Sequence, residues 1–197
     1  MTIKEGRIME NGKEFEVVFP TAADSEMWAE QISQLILEAS QAKNSGLAQR
    51  SPEHIRTKIR ENKAVLALKR DDKTLAGFCY IDTWQNGEYV VTSGLIVKPE
   101  FRGKGIATLL KKELFNHARK NFSQAKIFGL TTSGAVIKIN SDLGYRAASY
   151  ADITTDKGFW KGCETCANYD ILQRTNGRLC LCTAMLYNPN EHGATAE

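Results

Sequence analysis

Two groups of residues in this chain have the types and spacing for chemistry. The first is Arg102-Gly103-Lys104-Gly105-Ile106-Ala107, which follows an apolar run and opens a helical pattern. The first N–H groups of a helix starting there have no internal acceptor and point outward together. With the positive end of the helix dipole behind them and no side chain at either glycine, they would suit a diphosphate, and Arg102 and Lys104 add charge nearby. The same glycines would equally serve a plain turn that needs positive φ. The second group is Cys163-x-x-Cys166 with Cys180-x-Cys182, four sulfurs of the kind tetrahedral zinc takes.

The elements around these groups alternate between helical and strand periods. "IMENGKEFEVVFP" places two short strand-like runs about Asn11-Gly12, a tight-turn dipeptide. Trp28, Ile32, Leu35, Ile36 and Ala39 then form one helical face, with Asp24 or Ser25 as cap. "SPEHIRTKIREN" predicts a second helix capped by Ser51, with Pro52 at its first position and Ile55 and Ile59 facing inward. "KAVLALKR", "TLAGFCYIDTW" and "EYVVTSGLIV" read as a meander. Ile106, Leu109, Leu110, Leu114 and Ala118 share the face of a third helix, with Lys111, Lys112, Arg119 and Lys120 assigned elsewhere. A strand "KIFGLTT", a helix capped by Ser133 and ended by Gly144, and a short strand "YRAASY" follow. "NYDILQRT" and "RLCLCTAMLY" flank Asn176-Gly177 as an expected hairpin.

That hairpin decides how the cysteines are read. In a two-residue turn Cys180 faces Gln173 and Cys182 faces Ile171, which leaves Cys166 roughly 17 Å along the strand. A zinc site then needs the Cys163 segment to fold back; small apolar packing or a reactive thiol is the other reading, and no metal is expected. Cys79, between Phe78 and Tyr80, is expected in the core. His54, His117 and His192 are read as surface residues. Trp84, Phe159 and Trp160 are read as core or as lining of an acceptor pocket.

Composition narrows the class. With 197 residues and 42% hydrophobic content there is room for one core, expected over 1–187, with 188–197 as a disordered tail. A net charge of +3, spread among 23 acidic residues, is too mild to argue for nucleic acid. No apolar run reaches membrane-spanning length and the start is too polar for a signal peptide, so a cytoplasmic protein with reduced thiols is expected. Lys104 is followed by Gly105, so a Walker loop fits badly. Thr108 stands where a dinucleotide fingerprint needs a third glycine or alanine.

"VKPEFRGKGIATLL" resembles the acyl-CoA signature of the GNAT acyltransferase superfamily, met by Arg102, Gly105 and Ala107, and the surrounding element order is similar from about Phe15 to Leu172. The resemblance implies an α/β fold with a mixed, mostly antiparallel central sheet flanked by helices, here with an extra C-terminal hairpin strand. It implies acetyl-CoA or another acyl-CoA as co-substrate, held by the amides of Arg102 to Ala107 and by the exposed backbone of Leu95, Ile96 and Val97. It also implies direct attack by a small-molecule amine on the thioester, stabilised by a strand N–H at the developing oxyanion.

The residues depart from that pattern at two places. Where many members carry a tyrosine acid four residues before the helix-ending glycine, this chain has Asn140; where many carry a glutamate base before the loop, it has Ser93. Neither titrates near neutrality, so both are taken as groups that orient a water. "KIFGLTTSGAVIKINSDLGYRAAS" with "FWKGCETCANYDIL" resembles, more weakly, the C-terminal part of N-acetylglutamate synthases of arginine biosynthesis, which implies glutamate as acceptor. The Arg-Arg-Ser cluster of those enzymes is replaced by "GCETC", which leaves Arg146 and Lys161 as the carboxylate-binding candidates, with Trp84 and Trp160 lining the pocket. A non-catalytic acyl-CoA-binding or zinc-stabilised interaction module is the alternative. "LCLCTAML" would suit a homodimer edge.

Overall fold

The computed structural model describes residues 14–41 and 46–191. The Asn11-Gly12 turn, His192 and the end of the tail lie outside the described residues. Strand β1 (Phe15–Val18) leads into α1 (Ser25–Ser40) and α2 (Pro52–Arg60), followed by the meander β2 (Ala64–Lys69), β3 (Leu75–Trp84) and β4 (Tyr89–Val97). Then come α3 (Ile106–Asn121), β5 (Lys126–Thr131), α4 (Gly134–Asp142), β6 (Arg146–Ala148), α5 (Lys157–Lys161), α6 (Tyr169–Arg174) and β7 (Thr183–Tyr187). The strands form one seven-stranded sheet in the order β1-β2-β3-β4-β5-β7-β6, antiparallel throughout except where β4 meets β5. The expected mixed, mostly antiparallel sheet flanked by helices is present.

Period-2 alternation sorts the core into two layers. Val65 and Ala67 of β2 pack with Cys79, Ile106, Leu110 and Leu114 beneath α3, whereas Leu66 and Leu68 pack with Ile32, Ile36, Ile55 and Ile59 beneath α1 and α2. Helix α2 forms as its residues dictate: Pro52 occupies the first turn and Ser51 Oγ accepts the His54 N–H at 3.2 Å. His54 is not a surface group. Its ring packs edge-on to Tyr80 at 5.2 Å, and burial, then Lys58 and Arg50, lowers its pKa to about 4. His117 is half-buried against Phe19.

The C-terminal segment differs from expectation. Residues 169–174 are helical, so no hairpin joins them to β7. Asn176 (φ 52°) and Gly177 (φ 75°) supply the two left-handed residues that a tight hairpin turn needs, but they end α6 instead, with the Gly177 N–H reaching back to Leu172 O at 2.9 Å. Both structures demand the same φ signs, and the dipeptide does not distinguish them. Strand β7 is also no edge: it lies between β5 and β6, so the strand expected to offer a homodimer edge is paired on both sides. Among the described residues no helix is long and apolar enough to cross a membrane.

One irregularity shapes the sheet. Tyr80 pairs with Ser93 but Phe78 with Ile96, so β4 carries an extra residue at Gly94–Leu95. Gly94 has φ +65°, and a Cβ there would fall 2.5 Å from the Tyr80 ring. Both facts require glycine. We expect Gly94→Ala to destabilise the protein by about 3 kcal/mol or more, and Gly87→Ala, at φ +88° in open space, by only about 1 kcal/mol. Equal urea midpoints for the two variants would show that the bulge is not constrained in this way.

Candidate active site

Pairing of β4 with β5 runs from Tyr89 to Val91 and stops. Beyond Val91 the strands part, and a cavity of about 380 Å³ opens between them. Its walls come from both faces of the sheet: Leu47 and Arg50 from the loop between α1 and α2, Lys111 from α3, Val136 and Asn140 from α4. Ser93 to Ile96 form one side, so the backbone of Leu95 and Ile96, with Val97 next to it, runs along the groove on the edge that β5 leaves unpaired.

Arg102 stands at one end of the groove. Past it, Gly103 (φ +78°) and Gly105 (φ +79°) have nothing within 4 Å of where a Cβ would lie. Gly105 O takes the Leu109 N–H at 3.1 Å, which leaves the amides of Gly105, Ile106, Ala107 and Thr108 without an intrahelical acceptor. Lys104 faces away from the groove. Its Nζ pairs with Glu14 at 2.8 Å and lies over the Phe15 and Phe101 rings, so its contribution to the loop is backbone and long-range charge.

The other end is built by residues that sequence reasoning placed elsewhere or missed. Arg146 is exposed on β6, paired with Glu191 and outside the groove lining, while Lys161 lines a neighbouring pocket behind Trp160. Trp84 is half-buried and packs edge-on against Phe159 at the margin of a core cluster, and Trp160 lines the groove with its Nε1 donating to Thr154 O at 2.9 Å. The cation present is Arg50, oriented by Nε to Tyr80 Oη at 2.7 Å and by Nη1 to Gly162 O. A lone arginine between two helices carries no sequence signal of this role.

The four cysteines converge because α6 replaces the hairpin. The Asn168 N–H donates to Cys166 Sγ while Cys180 Sγ donates to Asn168 O, and all four thiols line the groove. Burial first, and then neighbouring thiols, pushes Cys163 up to about 11 and Cys182 to about 12, so they are protonated at neutral pH. Among the described residues no group of three or more His, Cys, Asp or Glu is arranged to hold a metal.

Lys111 is the largest departure from the helical-wheel reading. It is 2% exposed, four residues from Ala107 and three from Leu114, and it points into the floor of the groove. Nζ donates to Thr92 Oγ1 at 2.6 Å and lies 5.5 Å from the Tyr145 ring centroid. No carboxylate lies within salt-bridge distance of it among the described residues. Burial lowers its pKa from 10.5 to about 8. Asn140 is 1% exposed, with Oδ1 unpartnered, and Ser93 sits half-buried on the opposite strand. The groove lining among the described residues thus holds three cations, Arg50, Arg102 and Lys111, and no carboxylate.

A model of the Acetyltransferase (GNAT) family matches residues 29–135. Among solved structures, the chain is similar to the N-acetylglutamate synthase from Neisseria gonorrhoeae complexed with coenzyme A and N-acetyl-glutamate, with 18% identity and TM-score 0.62 over 91% of this chain and 36% of that one. It thus spans about a third of that synthase. A Mycobacterium tuberculosis protein in complex with CoA has 16% identity and TM-score 0.62 over 87% of this chain and 98% of that one. A phosphinothricin acetyltransferase from Sinorhizobium meliloti in complex with AcCoA has 17% identity and TM-score 0.56 over 91% of each chain. No curated protein sequence matches. At these identities the structural likeness concerns the fold alone. The family match settles the class: the chain belongs to the GNAT acetyltransferase family.

Burial of Lys111 has a measurable cost in stability. Its folded pKa lies below its unfolded one, so the unfolded chain binds more protons between pH 8 and 10.5 and wild-type stability rises across that window. We expect Lys111→Met to be more stable than wild type at pH 7 by up to about 3 kcal/mol, with the gain fading as pH rises from 8 to 10.5. Denaturant midpoints measured at pH 7 and pH 10.5 check this; a gain that does not change with pH would place the cost in packing.

Proposed function

We propose that the protein transfers an acetyl group from acetyl-CoA to the amine of a small molecule that carries a carboxylate, with glutamate the leading candidate, by direct attack in a ternary complex. The observation that carries this reading is the charge of the groove, which holds three cations and no carboxylate on a cavity that begins where β4 and β5 part. Coenzyme A brings anionic phosphates to the Arg102 end, where the amides of Gly105 to Thr108 and the two bare glycines form the diphosphate site. The one-sided edge of β4 at Leu95 to Val97 offers backbone groups to the pantetheine arm, apart from the Val97 carbonyl, which accepts Arg102 Nε at 3.2 Å. An N–H fixed on that edge stabilises the oxyanion as the amine attacks.

At the far end Arg50 meets the acceptor carboxylate, and Trp160 and Tyr150 wall off the site. Both neighbours named above that span most of their length on this chain were solved with CoA or AcCoA, and the gonococcal synthase also holds N-acetyl-glutamate. These support the donor and the acceptor class respectively. Ser93 and Asn140 are then polar positioning groups, and polyamines, with no carboxylate for Arg50, are poor acceptors.

A thiol-release screen with acetyl-CoA over amino acids and polyamines tests the reading. Amino acids, glutamate among them, should turn over and polyamines should not. Tight binding of coenzyme A with no thiol release from any amine would favour a non-catalytic acyl-CoA-binding module. For the donor site, Gly105→Glu should weaken coenzyme A binding at least about 100-fold in calorimetry by placing bulk and negative charge at the diphosphate. Unchanged affinity in the folded variant would sink the placement. Arg50→Met should raise the KM for the acceptor about tenfold or more while leaving coenzyme A affinity unchanged.

A further inference from the structure

The floor of the groove contains polar atoms that the fold itself leaves without partners. Thr92 is the first β4 residue after pairing with β5 ends, and its hydroxyl receives Lys111 Nζ at 2.6 Å. Across the parting lies Gly129, where a Cβ would stand 3.2 Å from Thr92 Oγ1 and 3.9 Å from Asn140 Nδ2. Thr92, Gly129 and Asn140 therefore meet at one point, with Lys111 against Thr92. Asn140 Oδ1 is buried there with no hydrogen-bond partner, and the buried Tyr145 hydroxyl lies beside Thr92. A buried ammonium with no carboxylate within reach, beside an unsatisfied amide oxygen and in the lining of the groove, is expensive to maintain for structure alone.

We propose that Lys111, held by Thr92, is the general acid that protonates the coenzyme A thiolate as it leaves. This rests on the acyl-transfer reading above and names a donor on α3 where an α4 acid is missing. The acceptor nitrogen forms the C–N bond with its lone pair, and the carbonyl π pair moves to oxygen. When that pair returns, the C–S bond breaks and its electrons leave on sulfur. The proton crosses from Lys111 Nζ to that sulfur. The new amide nitrogen releases its extra proton to water, and neutral Lys111 regains one from water once coenzyme A has gone.

The chemistry is well matched. Burial brings the ammonium to about 8, near the ordinary thiol value of about 8.5, so the transfer is close to balanced in free energy. The groups facing Lys111 keep it the site of titration. Cys79 on β3 is pushed up to about 11 and the Tyr145 phenol, beside Thr92, is raised further, so both are neutral; Thr92 and Asn140 do not titrate. Lys111 also supplies positive charge where thiolate develops, an interaction stronger in the transition state than with the thioester.

The test is the titration of the coenzyme A thiol in its binary complex, followed by the ultraviolet absorbance of the thiolate, in wild type, Lys111→Met and Thr92→Val. In wild type the bound thiol should ionise at a proton concentration at least about tenfold higher than in Lys111→Met, with Thr92→Val between them. With acetyl-CoA and the best amine from the screen, kcat should fall about 100-fold in Lys111→Met at pH 7. The wild-type decline in kcat above pH 8 should vanish in that variant. Equal thiol titration in wild type and Lys111→Met, each binding coenzyme A, overturns the assignment of Lys111 alone. Failure of wild type to bind coenzyme A overturns the acyl-transfer reading with it. Thr92→Val provides the same comparison should the methionine variant not fold.

Discussion

Everything that can act in this protein depends on β4 leaving β5. A parallel pair that ran its full length would close the centre of the sheet with ladder hydrogen bonds and leave no room for a thioester. Two local features prevent that. The bulge at Gly94–Leu95 adds a residue to β4 opposite β3 and bends it, and only glycine at 94 tolerates both the positive φ and the Tyr80 ring pressed against it. Meanwhile β5 satisfies its other edge on β7, five residues long in register from Ile127 to Thr131, so it is held straight while β4 turns. The gap exposes one edge of β4, and backbone left unpaired in a partly buried groove has to find another partner. A substrate chain with amide groups is such a partner.

The second theme is how charge is distributed about that gap. Several acidic residues are paired elsewhere: Asp82 with Lys58 at 2.7 Å, Glu16 with Lys73 at 2.7 Å, and Glu26 with Glu30 on Arg56. The groove keeps Arg50, Arg102 and Lys111 without compensation from carboxylates in its lining. In a confined, partly desolvated cleft that imbalance attracts anions more strongly than the same charges would on an open surface. It also spaces the three cations along the groove, with Arg102 at one end, Lys111 in the floor and Arg50 at the other end.

Much of the scaffold was legible because local rules and the global fold agree. Ser51 and Pro52 start α2, Ser133 starts α4 with its side chain on the Val136 N–H, and alternation along β2 divides its residues between two cores. The glycine loop was legible for the same reason, since positive φ at Gly103 and Gly105 is a local requirement. The misreadings share a cause too. Polarity alone predicts an outward Lys111, yet its position on α3 relative to Leu114 and Ala118 faces the sheet. Asn176-Gly177 predicts a hairpin by its local preference, though two left-handed residues equally end a helix.

The sequence by itself determined the class: the order of helices and strands, the bare loop opening α3, and the missing acid at residue 140 are all properties of nearest neighbours along the chain. Tertiary structure alone decided the contents of the groove. Arg50, Lys111 and the cysteines are separated by up to a hundred residues and more, and no periodicity relates them. They meet because the sheet parts at Val91, because α6 turns the Cys180 segment back towards Cys166, and because the loop before α2 folds over the opening. Side chains that assemble across long sequence separations are set by packing, and packing is settled by every element at once.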